Sequence, residues 1–169
     1  MDREKFYSYL KEIVKSGDRV LDVGCGSGDF LKRLTREVHI KGVGVDPYAL
    51  EEKGENYHIL ALPAEQIDAL NTRFDLVYTF HSLHHFSDPL KFLKNVKVVL
   101  KPNGYLVIAD WIYGTDTGVP ERYYKLEEVE EMLAKMGFKI DEEFVVDKDT
   151  FVFKSHARSE SRDGRDRSD

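Results

Sequence analysis

A chain of 169 residues, 41% hydrophobic and 33% charged, is long enough to bury one core and is ordinary for a globular domain, which excludes disordered and fibrous classes. A formal net charge of −6 argues against a nucleic-acid partner, because phosphate neutralisation needs a basic face. No apolar run approaches the ~20 residues of a membrane helix, and the lone cysteine, Cys25, leaves neither an internal disulfide nor a thiolate metal cluster. Met1-Asp2-Arg3-Glu4-Lys5 holds no leader-like apolar stretch, so a cytoplasmic location is the expectation. Residues 3–16 then carry Phe6, Tyr7, Leu10, Ile13 and Val14 at helical spacing, an amphipathic helix ahead of the first strand.

The stretch Val20-Leu21-Asp22-Val23-Gly24-Cys25-Gly26-Ser27-Gly28 reads as a buried strand running into a glycine-rich turn. Residues 29–38 continue as a helix with Phe30, Leu31 and Leu34 on one face. Glycine lets backbone approach a ligand, and the free N–H groups at a helix start attract negative groups. The dinucleotide fingerprint G-x-G-x-x-G is not met: Asp29 holds its third glycine slot and would face a pyrophosphate. No Gly-Lys-Ser/Thr is present for a phosphate loop, and Asp22 adds a carboxylate on the strand. Such a turn suits a ligand with cationic as well as anionic parts.

This stretch resembles motif I of the class I S-adenosylmethionine-dependent methyltransferases, whose usual form is D/E-x-G-x-G-x-G. The resemblance implies S-adenosylmethionine as cofactor, held at Asp22, Gly24, Cys25, Gly26 and Gly28. It also implies that the first helix closes over the site, which would bring Tyr7 or Tyr9 to it.

Residues 41–47 form a second strand ending in Asp46, with Pro47 able to open a helix. In doubly wound folds an acid here accepts two ribose hydroxyls, and by the resemblance Asp46 and Pro47 sit at the cofactor; the plainer role of Asp46 is a helix cap. A third strand over 57–62 leads to Pro63-Ala64-Glu65-Gln66 and an apolar-periodic stretch through Ile67 and Leu70. By the resemblance, Ala64 and Glu65 sit beside the adenine; otherwise Glu65 is a first-turn acid favoured by the helix dipole. The fourth strand, 74–80, ends at Phe80, whose ring suits a sulfonium charge. His81-Ser82-Leu83-His84-His85-Phe86 follows, then Asp88 as N-cap and Pro89 at the first helical position. Lys101-Pro102-Asn103-Gly104 stops that helix, and 104–111 is the fifth strand. The pattern FDLV, LHH, DP, LKPNG and Asp110 resembles the small-molecule, type 11-like branch of the family.

His84 and His85 have two readings, loop packing or a general base at the methyl-transfer site; His81 reads as packing. No metal is expected: no acid stands at ligand spacing, and adjacent histidines do not easily face one ion. The irregular segment 112–124 reads as a flap whose Tyr113, Tyr123 and Tyr124 line a substrate pocket, or as a plain connection. A helix over 126–136 stops at Gly137, and 138–146 with 150–153 make a hairpin. Residues 1–155 are expected to be one domain, and 156–169 a polar tail that adds no core.

The resemblance implies an α/β fold, a doubly wound, Rossmann-like sheet of seven strands in order 3-2-1-4-5-7-6, strand 7 antiparallel. The expected function is methyl transfer from S-adenosylmethionine to a small-molecule oxygen, nitrogen or carbon nucleophile, by a monomer or homodimer with no nucleic-acid or membrane partner. The alternatives are a non-catalytic cofactor-binding subunit, a nucleic-acid methyltransferase needing a partner, and a nicotinamide-dependent reductase.

Overall fold

The Asp2 carboxylate accepts the Glu4 backbone N–H at 2.7 Å and so starts α1, Arg3–Ile13. The computed structural model describes residues 1–159 and continues through β1 (Arg19–Val23), α2 (Asp29–Glu37), β2 (Lys41–Asp46), β3 (Glu52–Lys53), β4 (Tyr57–Ala61) and β5 (Phe74–Phe80). After β5 come α3 (Pro89–Val99), β6 (Leu100–Trp111), α4 (Leu126–Lys135), β7 (Phe138–Val146) and β8 (Thr150–Ala157). One sheet holds all eight described strands in the order β3-β4-β2-β1-β5-β6-β8-β7. With the two-residue β3 set aside, the order is the expected one, and β8 runs antiparallel to both its neighbours.

The strands alternate their apolar side chains between two covered faces, which is why they read as continuous hydrophobic runs. Leu21, Val77, Leu106, Ile108, Phe151 and Phe153 pack with Phe92, Leu93 and Val96 of α3 and Leu133 of α4. Val20, Leu76, Tyr78, Val107 and Val152 face Phe6 and Leu10 of α1 and Leu31 and Leu34 of α2. Each such side chain, fully buried, contributes about 1.5–3 kcal/mol.

Four details differ from the sequence reading. Glu52 and Lys53 add an antiparallel edge strand on β4, too short and too polar to show periodicity. The segment Ala64–Leu70 is a 3-10 helix, broken at Gln66, because Pro63 and the left-handed Asn71 leave it too few residues for a longer α-helix. Pairing of β6 begins at Leu100, opposite Phe74, and resumes at Tyr105 after an irregularity. The last strand runs past 153: Ser155 is 1% exposed and pairs with Leu106 and Ile140, and β8 continues to Ala157, so His156 and Ala157 of the expected tail are strand. Residues 160–169, the rest of the expected tail, lie outside the described residues.

The sheet's topology locates a crevice. From β1 the chain proceeds outward to β2 and then β4, and returns to the other side of β1 as β5. The connections that leave the adjacent carboxyl ends of β1 and β5 therefore run to opposite sides of the sheet, and the crevice between them is where open α/β sheets bind ligands.

Candidate functional site

β1 delivers the glycine turn to that crevice. Gly24 and Gly28 have φ of 80° and 82°, backbone that side-chain-bearing residues rarely adopt. A Cβ on Gly24 would stand 2.6 Å from the Cβ and Oγ of Ser82, so the turn and the loop after β5 approach as closely as glycine allows. Ser82 Oγ donates to the carbonyls of Gly24 at 3.3 Å and Phe80 at 3.1 Å, tying the two together. The backbone N–H groups of Gly24 and Cys25 both donate to Val45 O, which fixes the turn against the end of β2.

Asp46, at that end, accepts from Gly26 N–H at 3.1 Å and from Tyr48 N–H at 2.9 Å, one bond on each carboxylate oxygen. Each oxygen keeps a further lone-pair direction for a hydroxyl donor. Asp22 is buried within β1, and its Oδ2 accepts the Tyr78 hydroxyl at 2.9 Å. Burial pushes its carboxyl up to about 7; the Tyr78 hydrogen bond and the Arg3 charge oppose that rise without cancelling it. Burial also raises the Cys25 thiol well above its usual range, so this cysteine is not a nucleophile.

Two clefts meet at Gly24. The larger, about 430 Å³, is walled by Asp46, Pro47, Tyr48, Ala64, Glu65 and His85, among others. The smaller, about 260 Å³, is walled by Arg3, Asp22, Cys25, Phe30, Phe80 and His81, among others. α1 closes the smaller one: Phe6 stacks on Phe80 with ring centroids 4.5 Å apart, and Phe30 and Tyr78 pack around the pair. His81, at φ 51°, lies between the rings of Phe80 and Trp111 at 4.1 and 3.7 Å. Burial, aided by the N-terminal ammonium, lowers its pKa to about 3, so its imidazole is neutral.

His84 sits on a short 3-10 turn with its side chain 3% exposed. Its Nδ1 is 2.8 Å from Asp110 Oδ1 and its Nε2 2.9 Å from Glu121 Oε2. Burial works against its charge, but Asp110 and Glu121 prevail and raise its pKa. His85 is 58% exposed at the cleft wall, with Nε2 3.6 Å from Glu121 Oε1. The flap folds down beside them, closed by a bridge between Ile112 and Tyr124.

The family model described as "Methyltransferase domain" matches residues 3–143. The chain belongs to the class I S-adenosylmethionine-dependent methyltransferases. A tRNA U34 carboxymethyltransferase of Pseudoalteromonas translucida is 35% identical over 127 residues, covering 67% of this chain and 39% of the relative. An O-methyltransferase of Pyrenophora dematioidea is 28% identical over 149 residues, covering 73% of this chain and 55% of the relative. This methyltransferase chain thus spans only part of the curated relatives it matches. A solved S-adenosylmethionine-dependent methyltransferase from Aquifex aeolicus superposes with a TM-score of 0.74 at 28% identity, covering 91% of this chain and 88% of that one.

In this methyltransferase, nine of the ten sequence-nominated cofactor residues wall one cleft or the other; Gly28 lines neither. A Cβ there would stand 2.6 Å from Ile59 Cδ1, so Gly28 faces the core and opens α2. Tyr7 and Tyr9 point away, their hydroxyls bonded to Glu37 and Glu142, and Arg3 is the residue of α1 that reaches a cleft. His84 has a carboxylate on each ring nitrogen, so neither nitrogen faces a substrate; His85 Nε2 stands 3.6 Å from Glu121 Oε1, beyond hydrogen-bond distance. None of the flap tyrosines lines either cleft. Tyr123 is buried edge-on to the His84 ring, Tyr124 packs on the core, and Tyr113 is exposed beneath Lys125. Tyr48 and Ser82 were missed because nothing in local periodicity says which way a loop side chain turns, and Arg3, at the start of α1, because its helix gives no sign of which strand ends it covers; His81, read as packing, also walls the smaller cleft.

Proposed function

We propose that the joined clefts hold S-adenosylmethionine and that the chain methylates a small-molecule oxygen, nitrogen or carbon nucleophile. The observation that carries this reading is the pair of lobes meeting at Gly24, one with the free faces of Asp46 and the other with buried Asp22 opposite Arg3. The donor set fits: Asp46 for two adjacent hydroxyls, Asp22 for an ammonium, Arg3 for a carboxylate, and Ala64, Glu65 and Phe86 for a purine. Bound there, the cofactor supplies an electrophilic methyl on a sulfonium. Phe30, Tyr78 and Phe80 line that lobe with apolar surface and exclude water from such a charge. The chain's main task is alignment, since near-attack geometry supplies much of a displacement's barrier reduction. His85 is the imidazole at the larger cleft with a lone pair for the nucleophile's proton.

The acidic net charge and the relatives named O-methyltransferase support a small molecule as acceptor. The relative named tRNA U34 carboxymethyltransferase supports RNA as the second reading. The test is calorimetry with S-adenosylhomocysteine and NAD, followed by labelled-methyl transfer to metabolite fractions and to tRNA across a salt series. Binding of the former ligand alone and labelling of a small molecule are expected. RNA binding that falls steeply with salt, together with labelled tRNA, overturns the acceptor class; no S-adenosylhomocysteine binding overturns the cofactor site.

A further inference from the structure

We propose that His84, His85 and Glu121 form a binding site for a borderline divalent metal ion of the zinc type, at the junction of the β5 loop and the flap. This goes beyond the methyl-transfer reading and does not depend on it. One ring nitrogen of His84, one of His85 and a Glu121 carboxylate oxygen all lie within 4.8 Å of one another. Zinc binds imidazole nitrogen at about 2.0–2.1 Å and carboxylate oxygen at about 2.0–2.2 Å, so two donors of one tetrahedral ion stand about 3.3 Å apart. Two donor separations stand near that figure, 2.9 Å from His84 Nε2 to Glu121 Oε2 and 3.6 Å from His85 Nε2 to Glu121 Oε1, one on each oxygen of the carboxylate. A shift of a few tenths of an ångström in His85 and Glu121, the two more exposed side chains, makes room for an ion.

The surroundings of His84 match a ligand histidine. Its Nδ1 points at Asp110, which is 1% exposed and is itself held by the backbone N–H groups of His84 and Trp111 at 2.9 and 2.8 Å. A metal-bound imidazole almost always hands its other N–H to such a carboxylate, which fixes the tautomer and aims the free lone pair. The charges also balance: Asp110 and Glu121 bring two negative charges to a dication, and both imidazoles bind as neutral rings. Imidazole donors favour zinc-type ions over magnesium or calcium. Three protein donors leave a fourth position for water or a ligand oxygen.

Both objections that the sequence raised fall on geometry. The missing acid arrives from 37 residues downstream of His84, on the flap. The neighbouring rings of His84 and His85 lie 4.0 Å apart on the 3-10 turn rather than on opposite sides of a strand. An ion held here would pin the flap to the β5 loop beside the larger cleft. It would also take the lone pair of His85, so in the metal-loaded protein His85 is a ligand and not a base.

The test needs no substrate. Tag-free protein is stripped with chelator, then titrated with Zn²⁺ by calorimetry and with Co²⁺ by visible absorption. One equivalent and an intense tetrahedral Co²⁺ spectrum are expected. Glu121→Gln and His85→Ala should each weaken binding at least tenfold, and Asp110→Asn by about 10- to 100-fold. His39→Ala, at an exposed histidine elsewhere, should change nothing. Circular dichroism and melting of Glu121→Gln, a surface change, check that the fold is kept. No stoichiometric binding, or binding untouched by Glu121→Gln and His85→Ala in folded protein, overturns the site; neither result bears on binding of S-adenosylhomocysteine.

Discussion

Asp22→Asn tests how the buried carboxylate divides its effects between folding and ligand. Asp22 titrates near 3.8 as an ordinary side chain and near 7 in the fold, with burial as the leading cause. A carboxyl whose folded pKa lies above its unfolded value favours the fold only while protonated. Its contribution is therefore intact below about pH 4 and is lost as pH rises through about 7. The loss at pH 8 is on the order of 4 kcal/mol by linkage. Asparagine keeps the volume and an oxygen for the Tyr78 hydroxyl but carries no charge. The variant should match the parent at pH 4 and melt higher at pH 8, by on the order of 10 °C for a chain of this size. Binding should move the other way. In the parent, affinity for S-adenosylhomocysteine should rise with pH through about 7, as Asp22 ionises to meet the ligand's ammonium. In the variant that rise should vanish, and affinity at pH 8 should fall by about 1.5–3 kcal/mol, or about 10- to 150-fold. Melting curves at both pH values with and without ligand, plus calorimetry, give every quantity. A variant no more stable than the parent at pH 8, or one that keeps the parent's pH-dependent affinity, would refute both the burial cost and the ammonium pairing.

Asp46→Ala should weaken S-adenosylhomocysteine binding by about 1.5–3 kcal/mol in calorimetry, since it removes charge-assisted bonds to the ribose. Gly24→Ala should lose at least about 1–2 kcal/mol of stability to its left-handed backbone, and Ser82→Gly should recover part of the further loss that comes from the 2.6 Å contact. Asp110→Ala leaves His84 buried without its main partner and should cost about 3–5 kcal/mol, measured by denaturant unfolding. In metal-free enzyme, His85→Ala should lower kcat roughly 10²-fold with little change in cofactor affinity; full turnover would remove the base assignment.

Periodicity and punctuation marked the succession of strands and helices, and the resemblance supplied their order in the sheet. Continuous apolar runs at 19–23, 74–80 and 104–111 mark strands covered on both faces, and Asp88-Pro89 and Gly137 mark helix ends through local backbone chemistry. The glycine turn, Asp22 and Asp46 were legible for the same reason: a left-handed turn and a strand-end acid are local requirements, written in consecutive residues. What tertiary structure alone decided is where side chains from distant segments meet. Arg3 enters a cleft whose other walls come from β1 and β5. Gly28, nominated for the ligand, faces Ile59 instead. Asp110 and Glu121, from a strand end and a flap, take the two nitrogens of His84 and hold between two carboxylates a histidine that the sequence left as loop packing or a base. Such contacts join residues dozens of positions apart, and no local propensity encodes them; they follow from the order in which the strands stack and from the burial that makes an unpaired charge too costly to leave alone.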